Sequence, residues 1–382
     1  MRVLILCAAL GTVLPVAAAT HVVRPGQSIQ AAVDRAHPGD RIEVRPGVYR
    51  EPGRPCPHDP SLICGLVVTK DHLSLVGLAD GDDQVVLENP GAQDTGIAVA
   101  KDGARGPICL VDAASRVQRS AISGFTVRNF TGNGILLFCV DHWSIRKSSA
   151  VDNGQYGIFP SHCGQGLMEG NAASGSNDTG FYVGQSHDVR ITHNVATGNV
   201  SGFEIESSTR VRADHNTAIG NTGGVLAFIQ PGVDISPNQN DFNQIDHNLI
   251  AGNNKPNTCT PGGDVCLVPV GTGILDVGGR HNAIHDNLVF GNDTVGIGVS
   301  DECTGFQIPP DICPNLGFDP LPRFTRIEEN AVQGNGRHPD IARLPPGVPG
   351  ADLTWTGQGE RVCWEDNLAD STFSPVPLPA CR

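Results

Sequence analysis

Two glutamates, Glu204 and Glu206, are the side chains of this sequence best suited to chemistry. A single residue, Ile205, separates them in a short segment that is otherwise largely apolar. In a β-strand such residues share a face, with Cα atoms roughly 6.5 Å apart. Two carboxyl groups at that spacing can act as acid and base, or hold a cation with Asp178, which precedes them by one repeat. The alternative is that both are solvated surface residues.

Aromatic and imidazole side chains surround the two glutamates in the neighbouring repeats. Aromatic rings beside carboxylates suit a sugar chain, and an exposed face of such rings needs a ligand or a cover. A base for proton abstraction next to a carboxylate is available from Tyr182, His162 or His187. The predicted site consists of catalytic Tyr182, Glu204 and Glu206, substrate-binding Phe138, Phe159, His162, Gln185, His187 and Phe228, and calcium ligands Asp178, Glu204 and Glu206.

A repeat of 22 to 23 residues must position these side chains. It begins at regularly spaced glycines: Gly134, Gly157, Gly180, Gly202 and Gly224. The residue after each glycine is large and apolar, and position +3 mostly is too, which predicts a strand with one buried face. Even positions, including both glutamates, should point outward. The alternative for this outward face is that a long insertion, about 229–270, covers it.

Asparagines recur after the strands in two columns. An asparagine stacked on its equivalent in the next coil can form a ladder of amide hydrogen bonds. The first column continues after Ser148 as Asn171, Asn194, Asn216, Asn248, Asn287, Asn330 and Asn367. The second column is Asn153, Asn199, Asn221, Asn253 and Asn292.

Repeated short coils of this kind predict an all-β fold, a single-stranded right-handed parallel β-helix. Ser28 and the apolar positions that follow predict a short capping helix at the N-terminal end. Leucine-rich repeats, the competing solenoid, need a leucine consensus and helices that residues 120–300 lack. We expect one domain, residues 20–382, with loops inserted at 229–244, 254–270, 301–322 and 336–360.

Residues 1–19 are typical of an export signal, with Arg2, an apolar run and a small-residue cleavage site. The net charge of −14 becomes −15 without Arg2, which disfavours nucleic acid or an anionic membrane as partner. Four local disulfides are expected in a secreted or periplasmic protein, while the pairing of Cys109, Cys139 and Cys163 stays open. The expected disulfides are Cys56–Cys64, Cys259–Cys266, Cys303–Cys313 and Cys363–Cys381.

The outward positions of the second strand form further columns. Asp188 and Arg210 should stack as an ion pair, whereas Arg190 and Arg212 stack as like charges that need a carboxylate or an anion between them. Three imidazoles that precede ladder asparagines could bind a transition metal or be solvated turn residues. These are His193, His215 and His247.

The opening segment 28–49, the coil pattern, and the segments 176–186 and 202–207 resemble right-handed parallel β-helix repeat proteins of the pectin-lyase-like superfamily. That resemblance implies the fold and a range of activities, including polyuronate lyases, glycoside hydrolases and mannuronan C5-epimerases. The epimerases are associated with an Asp-Pro-His-Asp motif. This chain has Pro57-His58-Asp59-Pro60 in a different order, so that role is not transferred.

Three functions fit these residues. The first is a polyuronide lyase or C5-epimerase, with calcium bridging an acidic protein to an acidic substrate. The second is a non-catalytic β-helix that binds glycan or a cell-envelope partner, and the third is a structural or assembly factor. We expect a polysaccharide partner, no nucleic acid, no membrane span and a monomer.

Overall fold

The computed structural model describes residues 18–79, 81, 83–230 and 238–381. The predicted export signal lies outside the described residues, apart from its last two positions. Each coil contributes one strand to each of three parallel sheets, and the chain forms a right-handed parallel β-helix. The fold class predicted from the repeat is confirmed.

Sheet 1 contains 13 strands within the described residues, all paired in parallel. In chain order they are Thr20–Val23, Arg41–Val44, Ser74–Gly77, Val117–Gln118, Ala121–Ser123, Val140–Arg146, Gly164–Glu169, His187–Thr192, Thr209–Asp214, Gln244–Asp246, Ala283–His285, Arg326–Glu328 and Cys363–Glu365.

Sheet 2 contains 11 short parallel strands in the same part of the chain. They are Gly47–Tyr49, Val85–Glu88, Phe125–Arg128, Ser149–Val151, Ala172–Ser174, Val195–Thr197, Thr217–Ile219, Leu249–Ala251, Leu288–Phe290, Ala331–Gln333 and Leu368–Ala369.

Sheet 3 contains 12 of the described strands and carries the predicted site. Its first pair is antiparallel and the others are parallel. The strands are Arg54–Pro55, Ile63–Val68, Thr95–Val99, Asn133–Phe138, Ile158–Ser161, Thr179–Gly184, Ser201–Glu206, Gly223–Phe228, Thr272–Val277, Val295–Ser300, Ala351–Trp355 and Thr372–Phe373.

Helices are few and short. The predicted N-terminal helix spans Ile29–Arg35, and the Ser28 hydroxyl accepts a hydrogen bond from the Ala31 N–H at 3.0 Å. Its apolar side joins the core. The remaining helices are Gly106–Cys109 and Glu302–Gly305, with 3-10 turns at Ala113–Ser115, Asp264–Leu267 and Cys313–Asn315. No helix in the described part of the chain is long and apolar enough to span a bilayer.

The core is one continuous stack of apolar side chains between the three sheets. Phe181 and Phe203, one coil apart, stack with ring centroids 5.0 Å apart. Both asparagine columns are buried ladders: the Asn194 amide, for example, donates to Asn216 Oδ1 at 3.0 Å. The register assumed from the sequence is therefore confirmed.

All four predicted disulfides are present, and a fifth joins Cys109 to Cys139. Cys163 is the free cysteine of the described residues, and it is fully buried. The tail that contains Cys381 returns to the C-terminal end, where the Trp364 N–H donates to the Pro379 carbonyl at 2.8 Å.

One predicted insertion is partly wrong. The segment 336–360 was expected to be a loop, but Ala351–Trp355 is a strand of sheet 3. Its apolar residues Leu353 and Trp355 belong to the core, and it pairs with the strand before it. The sequence did not indicate this strand because its coil lacks the glycine that marks the other repeats.

Candidate functional site

Glu204 and Glu206 both lie on the outer face of sheet 3. Phe203 and Ile205 of the same strand point into the core, so the alternation predicted from the repeat is correct. Tyr182 is the strand neighbour of Glu204 in the preceding coil. In-register pairing therefore places the three predicted catalytic residues together.

The outer face of sheet 3 is covered, which is the alternative that the sequence left open for the insertion at about 229–270. Glu204 and Glu206 are 1% and 6% exposed, while Tyr182 and Phe228 are 4% and 6% exposed. The apolar residues of the inserted loops cause this burial, because they need a partner away from water. Val265 and Val268 pack on Leu226 and Phe228, and Phe306 also contacts Phe228.

Three aromatic rings form a half-accessible cluster beside the covered glutamates. Tyr156 stacks on Phe159 with centroids 4.2 Å apart, and the edge of Tyr182 approaches Phe159 at 4.6 Å. Tyr156 and Phe159 keep part of their surface in solvent. The carboxylate of Asp178 lies near Tyr156 at the rim of the cluster.

A chain of hydrogen bonds connects Glu206 to His162. Gln185 Nε2 donates to Glu206 Oε1 at 2.7 Å, and its carbonyl accepts from the Ser161 hydroxyl at 3.0 Å. The Ser161 hydroxyl has one proton, which it gives to Gln185, so it accepts from His162 Nδ1 at 2.9 Å. The lone pair of His162 therefore lies on Nε2. The Tyr182 hydroxyl also donates to Glu206 Oε1, at 2.8 Å.

Burial shifts the protonation of these groups towards their neutral forms. It raises the pKa of Glu206 to about 7, against the hydrogen bonds from Tyr182 and Gln185. Burial also raises the pKa of Asp178 to about 6. Burial and the nearby charge of Asp178 together raise the pKa of Glu204 well above its usual range. Burial and the nearby Arg116 lower the pKa of His162 to about 4. At neutral pH His162 is an uncharged base.

A polar groove of about 260 Å³ opens along the corner between sheets 3 and 1. Arg116 forms one wall and donates to both oxygens of Asp141 at 2.5 Å. The segment held by the Cys109–Cys139 disulfide forms another wall, and a side chain at Gly106 would collide with the His162 ring. The groove residues that carry polar side chains are Arg116, Asp141, His162, Gln165, Gln185 and His187.

Glu204 faces a different, mostly apolar cavity of about 90 Å³. Residues of the covering loops and of sheet 3 line it, including Val268, Leu275 and Phe306. Glu204 Oε1 has no hydrogen-bond partner among the described residues. Glu204 thus faces the apolar cavity, whereas Glu206 is hydrogen-bonded to Gln185 of the groove, although the two glutamates share a strand face.

The predicted calcium ligands stay a prediction. Within the described residues, two groups of three His, Cys, Asp or Glu side chains have ligand atoms within 4.8 Å of one another, and neither group contains Asp178, Glu204 or Glu206. One group contains Cys363 and Cys381, which form a disulfide and therefore hold no metal. The other lies on a different corner of the solenoid and is considered below.

The structure brings together most of the residues predicted from the sequence. Phe138 contacts His162 at a centroid distance of 5.3 Å, whereas Phe228 lies in the apolar cluster under the loops. Sequence reasoning missed Tyr156, Ser161 and the Arg116–Asp141 pair. Tyr156 lies just before its strand, where the alternation of strand residues does not predict the direction of a side chain. Arg116 reaches the groove from an irregular segment that is not part of the repeat.

Comparisons with known proteins agree with this architecture. A family model described as "Right handed beta helix region" matches residues 93–242. No protein with a curated description matches the sequence. The A-module of mannuronan C-5 epimerase AlgE4 of Azotobacter vinelandii is 17% identical, over 93% of this chain and 94% of that chain, with a TM-score of 0.59.

Two further solved structures show the same likeness of fold. The periplasmic alginate epimerase AlgG is 12% identical over 92% of this chain and 83% of its own, with a TM-score of 0.53. An alginate lyase from Paenibacillus sp. str. FPU-7 is 12% identical over 95% of this chain and 99% of its own, with a TM-score of 0.51. Sheet topology, ladders and these likenesses identify the chain as a right-handed parallel β-helix protein.

Proposed function

We propose that this protein acts on a polysaccharide, as a polyuronide lyase or C5-epimerase, in the groove that contains His162. The observation that carries the proposal is the hydrogen-bonded chain from Glu206 through Gln185 and Ser161 to His162. This chain fixes the tautomer of a histidine that is neutral at physiological pH. A neutral imidazole held in one tautomer is suited to general-base catalysis.

His162 is the base in this proposal. The sequence had offered Tyr182, His162 and His187 as alternatives for that role. His162 Nε2, beside which the Gly106 backbone lies, removes the proton on the carbon next to the uronate carboxylate in this proposal. In a lyase the released electron pair forms a C=C bond as the C–O bond to the neighbouring sugar breaks, and the sugar oxygen takes up a proton. In an epimerase a proton returns to the same carbon from the opposite face.

Tyr156, half-buried and stacked on Phe159, carries the hydroxyl assigned as the proton donor in this proposal. Burial raises its pKa, and the carboxylates of Asp178, Glu204 and Glu206 raise it further. The phenol therefore keeps its proton at neutral pH and gives it up only to a strong base, such as the sugar oxygen released when the C–O bond breaks. In this arrangement Tyr182 and Glu206 lie beneath the groove and position His162, whereas Glu204 faces the apolar cavity under the loops. None of the three contacts the sugar.

The solved structures with similar folds support the substrate class. Their titles name an alginate lyase and mannuronan or alginate epimerases. The aromatic cluster of Tyr156 and Phe159 offers ring surface beside the groove for the apolar C–H faces of a sugar. Five disulfides agree with an oxidising compartment, so we place the protein outside the cytoplasm.

Calcium is part of the proposal for an acidic substrate. The protein carries a net charge of −14, which repels a polyuronate unless a cation intervenes. Asp178 is the most accessible of the three carboxylates proposed as ligands, since Glu204 and Glu206 are buried. Activity should therefore require calcium and fall when a chelator removes it.

The test is a substrate panel with product-specific detection. Purified protein is incubated with alginates, pectates and neutral glycans, with and without calcium. Absorbance of unsaturated products detects a lyase, and NMR of uronate composition detects an epimerase. The His162→Ala variant should lose at least about 100-fold of the activity, because general-base catalysis contributes about that much or more.

His193→Ala is the matched control, since it removes an exposed imidazole from another corner of the solenoid. It should leave turnover unchanged. Equal activity of the His162→Ala variant and the unaltered protein would contradict the assigned base. Absence of lyase and epimerase products from every glycan would contradict the enzyme proposal.

Binding without catalysis is the second candidate. It is favoured by the burial of Tyr182, Glu204 and Glu206, the three residues predicted to be catalytic. In that case the groove and the Tyr156–Phe159 pair hold the glycan and no bond changes. Retention on a glycan affinity gel, together with no product in the panel, would select this function.

A further inference from the structure

A column of outward side chains runs along the corner between sheets 1 and 2. Each residue directly precedes a ladder asparagine and has a positive φ, which places its side chain at the same point of every coil. In six successive coils this column contains three histidines followed by three carboxylates. Its members are His193, His215, His247, Asp286, Glu329 and Asp366.

The three predicted histidines stack, so they are poorly arranged to share one metal ion. The rings of His193 and His215 are 5.1 Å apart and nearly parallel, and those of His215 and His247 are 5.0 Å apart and nearly parallel. Parallel rings direct their lone pairs side by side. A metal ion needs lone pairs that converge.

Convergence occurs where the histidines give way to carboxylates. The ring of His285, the last residue of its strand, is almost perpendicular to that of His247, with centroids 6.2 Å apart. Asp286 is the next residue and occupies the column directly after His247. One ligand atom of each of these three residues lies within 4.8 Å of the other two.

A buried carboxylate orients the first of these ligands. Asp246 is fully buried, receives two hydrogen bonds from Arg212 at 2.8 and 2.9 Å, and lies 2.9 Å from His247 Nδ1. A carboxylate only accepts, so His247 carries its proton on Nδ1 and has its lone pair on Nε2. Metal-binding histidines are oriented by carboxylates in the same way.

We propose that His247, His285 and Asp286 form a binding site for a divalent transition-metal ion, zinc(II) or copper(II). Two imidazoles and a carboxylate are typical ligands for these ions, whereas calcium and magnesium prefer oxygen ligands. Bond lengths of about 2.0–2.1 Å require ligand atoms roughly 3.3 Å apart. The side chains are 30% to 47% exposed, so they can rotate. His285 Nδ1 lies 2.8 Å from Asp286 Oδ2 and donates to it, so Nε2 is the His285 nitrogen with a lone pair for the metal.

The ion would connect two coils that a long insertion separates in sequence. His247 belongs to the coil before residues 254–270, and His285 and Asp286 belong to the coil after it. Binding would therefore stabilise the folded chain by an amount that grows with the logarithm of the metal concentration. The site lies on a different corner from the His162 groove, so this proposal does not depend on the proposed function.

The test is titration of zinc chloride alone into chelator-treated protein, with a chromogenic indicator as competitor. We expect one ion per chain and at least a tenfold loss of affinity in the His285→Ala and Asp286→Asn variants. His193→Ala is the matched control, because it removes an exposed imidazole of the same column two coils away. It should bind zinc like the unaltered protein.

Copper(II) gives a second readout that does not depend on affinity. The electron paramagnetic resonance spectrum should show coupling to two nitrogens in the unaltered protein and to one nitrogen in the His285→Ala variant. Circular dichroism melting verifies that each variant is folded. No saturable zinc uptake, or equal loss of affinity in His193→Ala and His285→Ala, would contradict the proposed site.

Discussion

Gln185 is the residue that joins the buried and the accessible parts of the candidate site. Its amide donates to Glu206 and its carbonyl accepts from Ser161, so its orientation is fixed by both neighbours. A fixed Gln185 in turn decides which nitrogen of His162 carries the proton. Chemistry at the groove therefore depends on a side chain that is itself 7% exposed.

Glu206 makes folding stability depend on pH. Its pKa is raised to about 7 in the folded protein by burial, from 4.5 in the ordinary case. The folded state therefore binds the proton more tightly than the unfolded state. The stability that this proton contributes is complete below about pH 4.5 and is lost as the pH rises through about 7.

The Glu206→Gln variant removes this dependence, since glutamine does not ionise. We expect the free energy of unfolding of the unaltered protein to fall relative to that of the variant between pH 5 and pH 8, by up to about 3 kcal/mol. Denaturant unfolding at several pH values measures it. Glu365→Gln, at an exposed position, is the control for the substitution itself. A pH-independent difference would contradict the raised pKa.

Asparagine ladders hold the coils in register at the scale of the element. Asn216 donates to the Ile191 carbonyl at 2.8 Å and to Asn248, and its Oδ1 accepts from the backbone and side chain of Asn194. It is buried, so a substitution leaves several polar groups without partners.

Asn216→Ala should lower the free energy of unfolding by about 3–4 kcal/mol, because about four hydrogen bonds of roughly 1 kcal/mol each are lost. Chemical denaturation measures the change. Asn177→Ala, at an exposed corner of the same solenoid, should cost less than about 0.5 kcal/mol. Similar losses in the two variants would show that the ladder is not the stabilising element.

The repeat predicts the elements well because each coil obeys the same constraints. Phe181, Phe203 and Val225 fall at one register position, so their burial and the outward direction of Glu204 follow from period two alone. The loops do not repeat. Val265 and Val268, which cover Phe228, belong to one insertion. Because this insertion occurs once, no periodicity predicts where it packs. The register therefore predicts which side chains lie together on sheet 3, whereas the choice between an exposed and a covered face needed the structure.

At the scale of the whole molecule, two sides of one solenoid carry different chemistry. The corner between sheets 3 and 1 presents the His162 groove, and the corner between sheets 1 and 2 presents the histidine and carboxylate column. Continuous stacking makes both possible, because it places residues about 22 or more positions apart side by side. The inserted loops that carry Val265, Val268 and Phe306 then close part of one face and leave the groove open.

Hydrogen–deuterium exchange in the presence of a uronate oligosaccharide tests the central claim most directly. The claim is that a polysaccharide binds in the His162 groove. The account predicts slower exchange in residues 105–116, 138–142, 161–165 and 184–188, which form the groove walls. Unchanged exchange in all four segments with alginate and pectate oligosaccharides, or protection confined to sheet 2, would contradict it.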